Sequence, residues 1–486
     1  MLTEKETLKI NKELTRLKKE ETRPKSKAYL YYMFLILALI YIMDEISTNL
    51  PNSLSSEINL YINTMNQALA SGFAMDQIVQ ATFGGTGPEP LLGIISSGLS
   101  SISLIALLSN VMLIVSMFYR PLADRFGRKI FLFINALGMG LSSLLFFCAD
   151  NIFVYAIAFF MLRFFVTPDQ QIVYLFEIAP EKYRNTVYSL TKGVAELGLI
   201  FIALLRKFFL NSENYQSYKW IFLSVAIVTV VVSFLALLFA KESDAFLKER
   251  ISYLEEKVNH QEGVKEELEK TQGGFIAALK YTFKNKQVLF ICIATALVEL
   301  IYAPCNGYSS VLNSGFLGVG GLSQEAATEV AFYFPFSCAL ISAVYGFISD
   351  KFGRKITSIA LLSVCALSYV GMCLSLYYSL PTWLIGILLG LVLGADWSNG
   401  DILSLLAGES SPTNLRASVM SAWSLFFGVG MILSQGFATL APKLFGYTYL
   451  SLSYLCLSLP AMVISIVVLM SMVKETKGVS LTGSVN

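Results

Sequence analysis

Twelve apolar runs of helical length constrain this chain more than any other feature. A helix rises 1.5 Å per residue, so about 20 apolar residues cross the hydrocarbon of a bilayer. By that rule the spans fall at 28–50, 93–119, 129–149, 152–176, 185–209, 218–240, 287–313, 326–349, 356–378, 382–406, 417–440 and 447–472. Lipid offers no partner to a bare N–H or C=O, so runs this long read as helices. The expected fold class is an all-α membrane protein. Composition agrees, with 55% hydrophobic and 14% charged residues, against about 25% charged in soluble chains. The first span follows a charged lead with no small-residue cleavage site, so it is not read as a signal peptide.

Loop charge sets the orientation. Of 36 Lys and Arg, 30 fall in the N-terminal lead, the even-to-odd loops and the tail. Arg206, Lys207, Lys219 and Lys443 fall on the other side, and Arg163 and Lys192 lie within spans. Positively charged loops stay in the cytoplasm. Both termini are therefore expected there, in a multi-pass protein of the cell (plasma) membrane. One histidine, His260, and a formal charge of +2 give nucleic acid nothing to bind. The seven cysteines form no CxxC pair, so no metal site, cofactor or disulfide framework is expected.

The hydrophilic stretch 241–286 divides six spans from six. Phe246, Leu247, Ile251, Leu254 and Val258 recur in it at helical spacing, which predicts an amphipathic linker covering the membrane domain, with a coiled coil as the alternative. The expected organisation is a lead at 1–27, a first half at 28–240, the linker at 241–286, a second half at 287–472 and a tail at 473–486.

The two halves repeat. DRFGRKI, Asp124 to Ile130, returns 226 residues later as DKFGRKI, Asp350 to Ile356. Glu177-x2-Pro180-x3-Arg184 returns as Glu409-x2-Pro412-x3-Arg416, and KES at Lys241–Ser243 returns as KET at Lys474–Thr476. Each half carries the same charged marks after its second, fourth and sixth spans. A duplicated membrane unit is the reading.

These marks carry a family resemblance. RPLADRFGRK (120–129) and GFISDKFGRK (346–355) resemble the loop motif of the major facilitator superfamily. The E-x2-P-x3-R pairs and the tail KETKG (474–478) are similar to its sugar-porter and organic-ion, metabolite–proton symporter branches. The resemblance covers the whole chain. It implies twelve helices in two pseudo-symmetric six-helix halves, with spans 1, 4, 7 and 10 around a central cavity.

The charged knots then have a physical use. Asp124, Arg125, Arg128, Glu177, Arg184, Asp350, Arg354, Glu409 and Arg416 emerge at neighbouring helix ends, where opposite charges latch one conformation and separate in the other. Near water such pairs are worth about 0–1 kcal/mol each, which suits a gate. Gly127 and Gly353 permit the tight turn between spans.

Ionisable residues inside a bilayer mark function by default. Here they are Asp44, Glu45, Arg163, Asp169, Lys192, Glu196, Glu299, Asp396 and Asp401. Depth arithmetic on spans 4 and 5 pairs Arg163 with Glu196 and Asp169 with Lys192. Asp44, Glu45, Glu299, Asp396 and Asp401 are left without a basic partner, and Glu299 and Asp401 lead as proton carriers. Asp44 and Glu45 are placed in the outer third of span 1, about 100° apart around the helix. Glu299 precedes a Pro304–Gly307 break, where Asn306 joins the expected solute site and Tyr302 and Tyr308 are possible donors to Glu299. Trp397 lies one turn from Asp401, and Gly386, Gly390 and Gly394 form a stripe for close helix packing.

The expected function is a monomeric secondary transporter for a small polar or cationic organic solute, coupled to protons. The alternatives are a sugar or polyol porter, or a solute sensor of the same fold. No GxxxxGK[ST] loop for ATP occurs, and no nucleophile–base constellation suggests an enzyme. The loop 51–92 holds Glu57, Asp76 and Glu89 without a basic residue. It reads either as a cation-attracting mouth or as a spacer.

Overall fold

A computed structural model describes residues 4–21, 27–112, 115–116, 119, 122, 127–166, 171, 174–175, 184–211, 214–259, 275–411 and 416–476. Among these, eleven helices are long and apolar enough to cross a membrane, and the shorter apolar helix Ile152–Val166 makes the twelfth. Span 1 is Lys27–Ser53, span 2 Glu89–Ser109, span 3 Arg128–Phe147, span 4 Ile152–Val166 and span 6 Tyr218–Phe239. Span 5 has two pieces, Arg184–Leu197 and Ile200–Phe209. In the second half, spans 8 to 12 are Gln324–Phe352, Arg354–Tyr377, Thr382–Glu409, Arg416–Phe445 and Leu450–Met472.

Across the seam between halves, spans 5 and 8 pack together, as do spans 2 and 11. Small residues make the first contact close: a Cβ on Gly193 would collide with Ala339 O and Ala343. The glycine stripe of span 10 has the use expected of it, since Gly386, Gly390 and Gly394 lie against the backbone of span 8 at Val330, Phe334 and Cys338. Helices meet here by backbone fit, because lipid supplies no hydrophobic drive between them.

Span 7 is broken into Lys286–Val298, a 3₁₀ turn at Glu299–Ile301, Tyr302–Asn306 and Tyr308–Ser314. Pro304 has no N–H for the carbonyl of Leu300. Ser434 of span 11 replaces it, donating its hydroxyl to Leu300 O at 2.8 Å and accepting from Ala303 N at 2.9 Å. One serine thus closes the hydrogen-bond account of the break. Ser434→Ala is expected to destabilise the protein by about 1–3 kcal/mol, the cost of buried backbone groups left unmade. The fall in thermal midpoint of the purified protein checks it.

The stretch 51–92 is a folded cap rather than a spacer, with Asp76 and Glu89 exposed on it. Span 1 runs on through Ser55–Asn59, a π-helical turn at Leu60–Thr64 and Met65–Ala70, followed by Met75–Gly84. Leu50, Leu54 and Ile58 are buried along one face of this continuation. The cap is fastened to the second half by Ser55–Ser310 (2.8 Å), Ser56–Asn313 (2.9 Å) and Tyr447 Oη to Thr82 O (2.7 Å). Glu57 meets Arg206 at 2.8 Å with both side chains buried. Arg206 also donates to Ser53 O and, at 3.1 Å, to Thr328 Oγ1. Beside this cap the exposed Asp150 accepts from Lys219. That hydrogen bond and charge hold its carboxyl below the usual carboxylate range.

At the opposite end the charged lead forms a helix, Glu4–Glu21. It packs Ile10, Leu14 and Leu17 on Phe246, Leu247, Ile251 and Leu254 of the linker helix Asp244–Asn259. The linker's apolar stripe is covered by the lead. Val258's side chain lies outside the described residues.

Candidate functional site

A small cavity of about 20 Å³ lies between the halves. Thr48 and Asn52 of span 1, Phe159 and Arg163 of span 4, Tyr302 and Asn306 of span 7 and Gln435 of span 11 line it. That volume holds about one water, so the walls are drawn together. Asn52 Nδ2 donates to Asn306 Oδ1 across the seam at 3.1 Å. The Arg163 guanidinium lies 5.5 Å from the centroid of the Tyr302 ring. The breaks in span 7 aim Tyr302 and Asn306 at this space. Of the residues expected at the solute site, Arg163 and Asn306 arrive there.

The carboxylates do not. The described wall holds one charged side chain, Arg163, and no acid. A helix turns 100° per residue, so a residue on a cavity helix can still face a neighbouring helix. Glu299 is buried where span 11 crosses span 7, its Cβ close to Gly430. Among the described residues its carboxylate accepts no hydrogen bond, and the hydroxyls of Tyr302 and Tyr308 do not reach it; Tyr302 donates only its backbone N–H, to Glu299 O. Asp396 of span 10 is its electrostatic neighbour, buried with Oδ1 unpaired among the described residues. The two acids thus act on each other electrostatically within the second half.

Asp44 is also buried, receiving 2.7 Å from Gln171 Nε2. The helix of span 1, Lys27–Ser53, is longer than its apolar run at 28–50. Glu45 is half-buried, and its Oε2 accepts from Asn49 at 3.4 Å.

Span 5 makes a different set of pairs from those expected. Tyr188, Lys192 and Glu196 recur every four residues and form one stripe facing spans 8 and 10. Lys192 Nζ meets Asp401 Oδ2 at 2.6 Å and Trp397 O at 3.4 Å. Tyr345 Oη (2.8 Å) and Tyr188 Oη (3.4 Å) donate to the same carboxylate. Asp401 therefore has a basic partner, and that partner comes from the other half. Glu196 is not on Arg163: it accepts from Ser342 Oγ at 2.7 Å and Cys338 Sγ at 3.2 Å. Depth arithmetic between adjacent antiparallel helices misses contacts across the seam. Asp169 lies outside the described residues.

Lys192→Met is expected to destabilise the protein by about 1–3 kcal/mol, less than a fully buried pair would lose, because the Asp401 side chain is 32% exposed. Adding Asp401→Asn is expected to recover part of the loss. Thermal midpoints of the two variants, compared for additivity, check the contact.

The repeated charged marks also have a structural use. Glu242, from KES, accepts from the N–H groups of Arg128 (2.8 Å) and Lys129 (3.3 Å) at the start of span 3. Glu475, from KET, accepts from Arg354 N (2.8 Å) and Lys355 N (3.1 Å) at the start of span 9. Each carboxylate caps the positive end of a helix in its own half. Gly127 (φ +110°) and Gly353 (φ +107°) precede those helices, and a Cβ on either would strike the capping carboxylate. The glycines serve that close approach as well as the turn. Arg354 joins Asp350 at 2.7 Å and Glu409 at 3.5 Å, so these expected partners come together, all within the second half. Asp124, Arg125 and Glu177 lie outside the described residues, as do the side chains of Arg184 and Arg416. Glu475→Ala is expected to lower stability by about 0.5–2 kcal/mol and leave solute affinity unchanged, which thermal unfolding and a binding isotherm check.

The glucose transporter GlcP of Staphylococcus epidermidis is 22% identical over 381 residues, 74% of this chain and 82% of that one. A D-xylose–proton symporter shares the fold, with a TM-score of 0.65 at 14% identity, covering 93% of this chain and all of the other. The inward-open xylose transporter XylE of E. coli gives 0.62 at 15% identity, over 93% and 98% of the two chains. A POT family transporter solved with 5-aminolevulinic acid gives 0.58 at 15% identity, over 90% and 96%. The family model described as Major Facilitator Superfamily matches residues 28–435. The chain belongs to that superfamily and is a membrane transporter, not an enzyme.

Proposed function

We propose that this transporter moves an uncharged organic solute rich in hydroxyl or amide groups, by alternating access and with proton coupling. The observation that carries the solute class is the cavity wall. Thr48, Asn52, Tyr302, Asn306 and Gln435 offer hydroxyls and amides, which can both donate and accept. The described wall offers no acid to hold a cation. A sugar or polyol fits, and the likeness to the glucose and xylose transporters above supports that class. The cationic solute is the weaker reading.

Glu299 and Asp396 are the coupling groups in this proposal. Two buried acids, neither in an ion pair among the described residues, are cheap to carry through the cycle only when at least one holds a proton, although the charge of Lys192 acts on Asp396. Orientation with both termini cytoplasmic rests on the lysine and arginine bias of the loops. A gate role for Asp350, Arg354 and Glu409, with Asp124, Arg125, Arg128, Glu177, Arg184 and Arg416 as their counterparts, rests on the repeat.

Reconstitution tests the solute class. Purified protein in liposomes is expected to catalyse saturable counterflow of a neutral sugar or polyol, and Asn306→Ala to raise its KM about tenfold, the worth of one good hydrogen bond. Inhibition by organic cations, with none by polyols, would overturn the neutral class. Binding without counterflow would make the protein a sensor.

A further inference from the structure

The lead helix Glu4–Glu21 has two unlike faces. One carries Ile10, Leu14 and Leu17 and is closed by the linker helix. Two charged residues flanking it pair with that partner: Glu13 accepts from Arg250, and Lys18 pairs with linker Glu255. The far face is different. At 100° per residue, Lys5, Lys9, Lys12, Arg16 and Lys19 fall within an arc of about 80° that no carboxylate enters. Lys12, Arg16 and Lys19 are exposed, and with Asn11 and Thr15 they line one open groove along the helix.

This face also has a fixed neighbour. Glu21 ends the lead helix and Lys27 begins span 1, so five residues separate it from the membrane span. Six peptide steps reach about 20 Å at most. The basic groove is thus tethered at the lipid surface on the side of the termini, in reach of the headgroups. Anionic lipid attracts such groups by about fivefold in binding per lysine or arginine at the surface.

We propose that the groove formed by Lys12, Arg16 and Lys19 is a docking site for anionic phospholipid headgroups. By seating the lead helix it also seats the linker helix packed on it, so leaflet charge sets the position of the strap joining the halves. The occupant is lipid rather than an acidic soluble protein because the tether holds the groove at the bilayer continuously, whereas a soluble partner would have to diffuse to it.

Hydrogen–deuterium exchange of the full-length protein in nanodiscs tests this. Amides of Glu4–Glu21 are expected to exchange roughly tenfold more slowly in discs with 30% phosphatidylglycerol than in pure phosphatidylcholine. The difference should vanish in 1 M salt and in K12Q/R16Q/K19Q, while exchange in Tyr218–Phe239 stays constant as a folding control. Equal exchange in both discs overturns the proposal. Protection appearing only on addition of polyglutamate overturns it in favour of an acidic soluble partner.

Discussion

Arg206→Met is expected to cost about 3–5 kcal/mol of stability, and Glu57→Gln in the same chain to return most of it. The physical ground is burial. The two side chains are 2% and 4% exposed, and a charge left alone at such a place has neither water nor a counter-ion. Three further groups are tied to this pair: Ser53 O and Thr328 Oγ1 to the guanidinium, and Gln324 Nε2 to the carboxylate at 3.2 Å. Because Thr328 and Gln324 belong to the second half, the loss also loosens the seam. Thermal unfolding of the single and double variants measures the coupling. If the double variant is as unstable as the sum of the singles, the pair does not act as a unit. Solute exchange should respond too, with the single variant shifted toward states in which the cap is parted.

Glu299→Gln is expected to keep solute exchange and abolish accumulation driven by a pH gradient. A gradient of one pH unit can drive about tenfold accumulation per coupled proton, and the variant is expected to stop at equality. Glutamine mimics the protonated acid in size and charge, so the halves can still exchange positions around a neutral residue. Asp396→Asn should act similarly, because each carboxylate is the electrostatic neighbour of the other. Asp401, the second proton candidate from the sequence, is set aside, since Lys192 already neutralises it across the seam. Accumulation by the Gln variant under an imposed proton-motive force would remove Glu299 from the coupling route.

The fold was legible because lipid leaves the backbone few choices. Runs of apolar residues long enough to cross must be helices, and the charged marks that follow spans 2 and 8 identify the duplication. The facing of side chains was not legible. Spans buried on several sides lose the polar-to-apolar period that would point inward, so Glu299 and Asp396 could not be told from cavity residues. Lys192 was assigned to an adjacent helix because depth alone ranks neighbours and ignores the seam between halves. Two signals went unused. Leu50, Leu54 and Ile58 continue the helical spacing of span 1 into the cap, and Ile10, Leu14 and Leu17 mark the lead as amphipathic. Asn52 and Gln435, by contrast, carry no period and no charge, and only the assembled cavity shows their place.

The serine-pinned break in span 7 bears on time. A whole half swinging about the seam is a collective motion of microseconds to milliseconds. Tyr302 and Asn306 sit on a piece of helix five residues long, held from outside by Ser434 and bounded by the 3₁₀ turn and Gly307. Such a piece can turn without the rest of the half, at the rate of a short segment. The solute would then meet two clocks, a fast local closure of Tyr302 and Asn306 over it and a slower reversal of the halves. Single-turnover traces should resolve two phases, of which Ser434→Ala alters the fast one alone.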